Sequence, residues 1–160
     1  MKIISLILGL TIVALFAQPA AAQKQYKTYS NVRFEYSVTY PSDLLKPQGE
    51  PDNGDGQVFK SDDGTAEMRV YGGYNALNQT LKQIYQDAIN DLGATNVSYK
   101  LLQTNFFVVS GKKNERVYYR KTVRSGDRML TFSIEYDVVG KSVYDAVTAK
   151  IANSLKSTAK

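Results

Sequence analysis

The stretch Val32-Arg-Phe-Glu-Tyr-Ser-Val-Thr-Tyr-Pro-Ser-Asp43 decides how the chain is read. Val32, Phe34, Tyr36, Val38 and Tyr40 alternate with Arg33, Glu35, Ser37 and Thr39. A period of two, rich in aromatic and β-branched side chains, predicts a strand with its first set facing a core. Pro41 has no N–H for the ladder, so the strand is expected to stop there and Ser42-Asp43 to turn the chain away.

Outward from that strand, Gln23–Asn31 is polar and aperiodic and is read as a flexible lead-in. Before it, Lys2, the apolar run Ile3–Ala17 and Ala20-Ala21-Ala22 form a signal peptide over residues 1–22, with cleavage expected before Gln23. The apolar run is about 15 residues, short of the ~20 that span a bilayer, so no stable membrane span is expected after cleavage. Residues 32–158 are then read as one domain.

Leu44–Gly56, with Pro47, Gly49, Pro51, Gly54 and Gly56, reads as a long loop. Gln57–Ser61 and Thr65–Tyr71 flank the turn Ser61-Asp-Asp-Gly64 and form a hairpin, after which Gly72-Gly73 is expected to redirect the chain. In Asn75–Gly93, Leu77, Leu81, Ile84, Ala88 and Leu92 recur at helical spacing, with Asn75 or Asn78 as cap and Gly93 as stop. Strands follow at Asn96–Leu102, Phe106–Gly111, Glu115–Arg124 and Arg128–Asp137, the last two joined by Ser125-Gly-Asp127. Val143, Val147, Ile151 and Leu155 place a second helix at about Gly140–Lys156. Three strands, a helix, four strands and a helix make an α+β, α/β/α sandwich-like fold. Its central antiparallel sheet of about six to seven strands is covered by two main helices.

Composition narrows function. Cysteine, histidine and tryptophan are absent. The commonest general base, the thiol nucleophile and the usual transition-metal ligands are therefore missing. A cysteine-free exported chain fits a bacterial periplasm or exterior. The net charge of +5 is spread along the chain, which argues against nucleic acid. No catalytic residues are assigned: no nucleophile elbow and no phosphate loop occur, and nothing brings two acids together across a defined cleft.

Three candidate sites remain. Tyr118, Arg120, Thr122 and Arg124 share one strand face, with Arg128 across the turn as an extension, and would grip a protein or cell-envelope component. Tyr71, Tyr74 and Tyr85 lie near the glycine bend and could line a ligand groove. Glu50, Asp52, Asn53 and Asp55 offer close-set oxygens to calcium, although without EF-hand spacing. No other cofactor is implied. The leading expectation is an exported, non-catalytic module that binds a protein or envelope component. The alternatives are a small-molecule or cation binder and, last, a hydrolase.

Three stretches also resemble a known family. Phe34–Leu45, FEYSVTYPSDLL, resembles the first strand and aromatic-Pro-Ser/Asp corner of the PsbP-like superfamily. Gln57–Tyr71 resembles its next hairpin, and Met129–Leu155 its closing strand and C-terminal helix. Members include the oxygen-evolving extrinsic protein of photosystem II and a Ran-binding nuclear import factor. The resemblance implies a central antiparallel sheet sandwiched by helices, a role in binding or assembly, and kinship with exported bacterial members. The histidines that bind metal in some photosystem members have no counterpart here, so no metal role carries over.

Overall fold

The computed structural model describes residues 24–159, so the expected signal peptide lies outside the described residues. Among the described residues, ten strands form two sheets. Strands β1 (Tyr26–Asn31), β2 (Tyr36–Pro41) and β10 (Lys156–Ser157) make a small sheet in the order β1-β2-β10. The large sheet contains β3 (Lys46–Pro47), β4 (Gly56–Lys60), β5 (Ala66–Tyr74), β6 (Val97–Leu102), β7 (Phe106–Lys113), β8 (Arg116–Ser125) and β9 (Arg128–Asp137). Its order is β3-β4-β5-β9-β8-β7-β6, and every pairing is antiparallel. Helix α1 (Leu81–Leu92) lies on one face of the large sheet and α2 (Lys141–Ser154) on the other, as the α+β expectation required.

The deciding stretch behaves differently from its sequence reading. Asn31 is buried, and its Oδ1 accepts a hydrogen bond from the Phe34 amide at 2.9 Å. That bond makes residues 32–35 a turn, so the strand begins at Tyr36 and Val32 is left 89% exposed. The turn allows Tyr26–Asn31, expected as a flexible lead-in, to pair back as β1 along the whole of β2, from Tyr26 opposite Pro41 to Asn31 opposite Tyr36. Pro41 ends β2 as expected, yet it is still within the ladder.

Tyr36, Val38 and Tyr40 do face a core, but as part of a second layer. They pack with α2 residues Tyr144, Val147 and Ile151 against Phe59, Met68, Val70, Phe132 and Ile134 of the large sheet. Burying such side chains supplies ~1.5–3 kcal/mol each relative to exposure. The expected glycine bend is not one: β5 runs through Gly72-Gly73. Gly72 is there because a Cβ would lie 2.4 Å from that of Phe34.

Helix α1 starts later than predicted. Thr80 and Gln83 close a capping box: the Gln83 amide donates to Thr80 Oγ1 at 3.2 Å, and Gln83 Oε1 accepts from the Thr80 amide at 2.7 Å. Leu77 therefore stays outside the helix and 79% exposed. Leu81, Ala88 and Ile89 are buried on Phe107 and Val109, and Tyr85 meets the Phe107 ring edge-on at 5.6 Å. In α2 the buried stripe is Tyr144, Val147, Thr148, Ile151 and Ala152, and Val143 is mostly outside it. Lys121, on the α2 face of β8, donates to the Ala152 carbonyl at 2.7 Å and so satisfies a carbonyl in the last turn of that helix. Among the described residues no helix is long and apolar enough to cross a membrane.

Candidate functional site

Helix α1 packs mainly over β6, β7 and the near side of β8, with Met129 of β9 at the margin of its cluster. Past its edge, the same face of β8, β9 and β5 has no second layer among the described residues and carries polar side chains in register. Tyr118 stands opposite Glu135 and Glu135 opposite Glu67; Arg120 stands opposite Ser133 and Ser133 opposite Arg69. Thr122, Thr131 and Tyr71 form the next rung. The first two rungs and the C-terminal end of α1 enclose a groove of about 570 Å³, lined by Glu67, Arg69, Asp91, Tyr118, Arg120 and Glu135 among others.

Its charges are interlocked. Glu67 accepts from Arg69 at 2.5 Å and lies 3.5 Å from Lys60. Arg116 pairs with Asp137 at 2.6 Å and with Glu135 at 3.7 Å. Arg120 lies 3.6 Å from Asp91, its guanidinium 5.9 Å from the centre of the Phe107 ring. Burial, with the adjacent Glu135 carboxylate, raises the Tyr118 pKa.

The predicted row is thus partly realised. Tyr118, Arg120, Thr122 and Arg124 do share a face, and Tyr118 and Arg120 line the groove. Thr122 is buried and bonded to Thr131 at 2.9 Å, and with it forms the floor of a smaller cleft and not part of the main groove's lining. Arg124 is exposed at the hairpin end, where its Nε donates to the Gly126 carbonyl at 3.2 Å. Arg128 does not extend the row. Ser125 pairs directly with Arg128, which turns Arg128 to the face opposite Arg124. There it binds the Glu35 carboxylate and, at 3.4 Å, the Phe34 carbonyl, holding the 32–35 turn.

The tyrosine trio is split. Tyr71 and Tyr74 line a smaller cleft of about 280 Å³ next to the groove. Tyr74 also meets the Phe34 ring at 5.2 Å. Tyr85 instead packs beneath α1, and Ile84 takes its place at the cleft.

Nor do the loop oxygens converge. Glu50 accepts from the Tyr29 hydroxyl at 2.5 Å, and Asp55 accepts from Asn53 Nδ2 at 2.8 Å. Arg33 donates to the Asn53 carbonyl, while Asp52 is exposed. Among the described residues, no three histidine, cysteine, aspartate or glutamate side chains group to hold a metal. The loop instead ties the sheets together: Asn31 Nδ2 donates to the Gly54 carbonyl at 3.0 Å and the Tyr36 hydroxyl to that of Asp55 at 3.0 Å.

Two features lay beyond the sequence reading. Glu67 and Glu135 are cross-strand neighbours in the groove, whereas no pair of acids was expected to meet. Each is held by cations, Glu67 by Arg69 and Lys60 and Glu135 by Arg116. On the opposite face, a second groove of about 490 Å³ runs between α2 and β7–β8, lined by Tyr99, Tyr119, Tyr136, Lys141 and Asp145 among others. Exposed Tyr99 on edge strand β6 was the only sequence signal for it.

The architecture is that of PsbP-like proteins: a central antiparallel sheet between two helices. The solution structure of cyanobacterial PsbP (CyanoP) from Synechocystis sp. PCC 6803 matches with a TM-score of 0.63 at 12% identity, over 89% of this chain and 98% of that one. A 1.50 Å crystal structure from Bacteroides thetaiotaomicron matches with a TM-score of 0.55 at 13% identity, over 84% of this chain and 49% of that one. No family model and no curated protein matches the sequence. The likeness is one of fold.

Proposed function

We propose that the chain is an exported, non-catalytic binding module of PsbP-like type, periplasmic or secreted in a bacterium, that takes a protein or cell-envelope component in the groove beside α1. The observation that carries this is the unroofed sheet face. Tyr118, Arg120 and Arg69 stand in register there, with aromatic and guanidinium groups of the kind that dominate binding surfaces.

The test is capture from envelope extract with the mature protein, followed by identification of what co-elutes. Tyr118→Ala combined with Arg69→Ser removes the captured component while unfolding stability stays within ~0.5 kcal/mol of wild type. Capture unchanged by the double variant refutes the groove as the binding surface. A mature N-terminus at Gln23, read by sequencing the exported protein, is the matching check on localisation.

The hydrolase alternative gains one observation, the juxtaposed Glu67 and Glu135. It requires turnover of an aryl glycoside that Glu135→Gln abolishes. A calcium site at Glu50, Asp52, Asn53 and Asp55 requires a rise in melting temperature with millimolar calcium.

A further inference from the structure

Among the described residues, Arg120 is the only side chain that lines both the main groove and the smaller cleft beside it. A guanidinium carries five N–H donors. Here Nε is buried and meets no acceptor. The one ion pair of Arg120 among the described residues is with Asp91, at 3.6 Å, beyond hydrogen-bond length. The Asp91 side chain is 73% exposed, which leaves that pair weak. An unsatisfied buried donor is costly to a fold, so this arginine is poorly explained as a stabilising residue.

The cleft has a simple chemistry. Among the described residues, Arg120 is the only charged one in its lining. Tyr71, Ile84 and Met129 supply apolar wall, and Thr122 and Thr131 supply buried hydroxyls. Those two hydroxyls bond each other at 2.9 Å, which uses one of their two protons and leaves one to donate. Asn75 and Gln79 also line this space of about 280 Å³, but the Asn75 amide is spent on the Gln79 backbone and Gln79 Nε2 on Asp87, which leaves Arg120 and the threonine pair to donate to a ligand.

We infer that this cleft binds a carboxylate carried on an apolar body. Arg120 takes the carboxylate oxygens, the threonine pair donates to one of them, and the body lies against Tyr71, Ile84 and Met129. A single planar guanidinium matches the two oxygens of a monoanion. A phosphate dianion would lack a second cation in the cleft and would meet the negative charge of Asp91 nearby. The same chemistry is offered by a small free acid or by the C-terminal carboxylate of a polypeptide. The inference deepens the proposed binding role and rests on it for the accessibility of this face.

The experiment is calorimetric titration of the whole mature protein with two matched probe pairs. One is hexanoate against hexanamide. The other is a tetrapeptide ending in phenylalanine, with its terminus free or amidated. The acid of at least one pair binds, and its amide binds about ten-fold or more weakly. Tighter peptide binding assigns the source as a chain terminus, tighter hexanoate binding as a free acid, and either supports the inference.

Arg120→Gln reproduces the loss without lowering the melting temperature. If that variant does not fold, Arg120→Lys, which keeps the charge but not the fork, carries the test with a smaller loss. Equal binding of acid and amide overturns the inference. So does binding that survives Arg120→Gln, or no binding of either acid at about 10 mM. Envelope capture is scored in parallel. Capture without carboxylate binding overturns this inference and leaves the groove reading standing, and carboxylate binding without capture does the reverse.

Discussion

The two faces of the large sheet are finished differently. One is closed over β4, β5 and β9 by a second layer, in which α2 and the small sheet bury Tyr36, Val38, Val147 and Ile151 on Phe59, Met68 and Phe132. The other has only α1, which seals Phe107 and Val109 and leaves the β5–β9–β8 half to ion-paired and hydroxyl side chains. Adjacent residues of one strand therefore serve different ends, packing on one side and contact with solvent or a partner on the other. Stability and binding are separable residue by residue.

The sharpest way to break that contrast lies on β9. Phe132 is fully buried and its ring lies 5.9 Å from that of Tyr119. Phe132→Ala costs ~3–5 kcal/mol, read as a lower urea midpoint at unchanged slope. Ser133→Ala, one residue on and facing the groove, stays within ~0.5 kcal/mol. Comparable losses at both positions would refute the division.

The glycine pair of β5 repeats the experiment at smaller scale. A Cβ on Gly72 would meet Phe34 at 2.4 Å on the closed side, whereas one on Gly73 meets nothing within 4 Å. Gly72→Ala costs ~1–3 kcal/mol through overpacking. Gly73→Ala is neutral or stabilises by up to about 1 kcal/mol, because the unfolded chain loses freedom and the fold loses nothing. Denaturation curves of the two variants decide it.

Strands β5 and β9 were legible because their burial alternates with period two, Thr131 apart: Leu130, Phe132, Ile134 and Tyr136 are buried while Met129, Ser133 and Glu135 are not. At Val32 the same pattern misled. The alternation runs unbroken into a turn that depends on the Asn31 side chain, a bond that periodicity does not register. Strand β1 was illegible for the opposite reason. It edges a small sheet with most side chains outside the core, so it shows no alternation. The shared face of Tyr118, Arg120, Thr122 and Arg124 followed from spacing alone. Which part of that face stays open depends on where α1 lands, and the meeting of Glu67 with Glu135 on a long-range register. Neither is written in local sequence.

The roof itself can be loosened. Thr80 caps α1 at the helix end nearest the smaller cleft, and Thr80→Ala loses about 1 kcal/mol. Amide exchange should rise in the first turn of α1 and on its partner β7, while β2 and α2 keep their protection. Equal loosening of both faces would mean that they unfold as one unit.

The smallest effect is a titration that marks the seam of the closed side. Tyr29 packs edge-on against Tyr36 and Phe59, and its hydroxyl donates to Glu50. Burial first, and then that bond to a carboxylate, push its pKa up to about 12. In the unfolded chain a tyrosine ionises near pH 10. Between about pH 10 and about pH 12 the unfolded state has thus shed a proton that the folded state keeps. The stabilisation is complete below the lower value and drains away as pH rises through the upper one. Tyr29→Phe removes up to one proton from the alkaline slope of stability, measured by denaturation at pH values stepped from about 9 to about 12. Tyr118→Phe, at the solvent-reached groove, flattens that slope less; an equal or larger effect there would mean that the groove is as dry as the closed face.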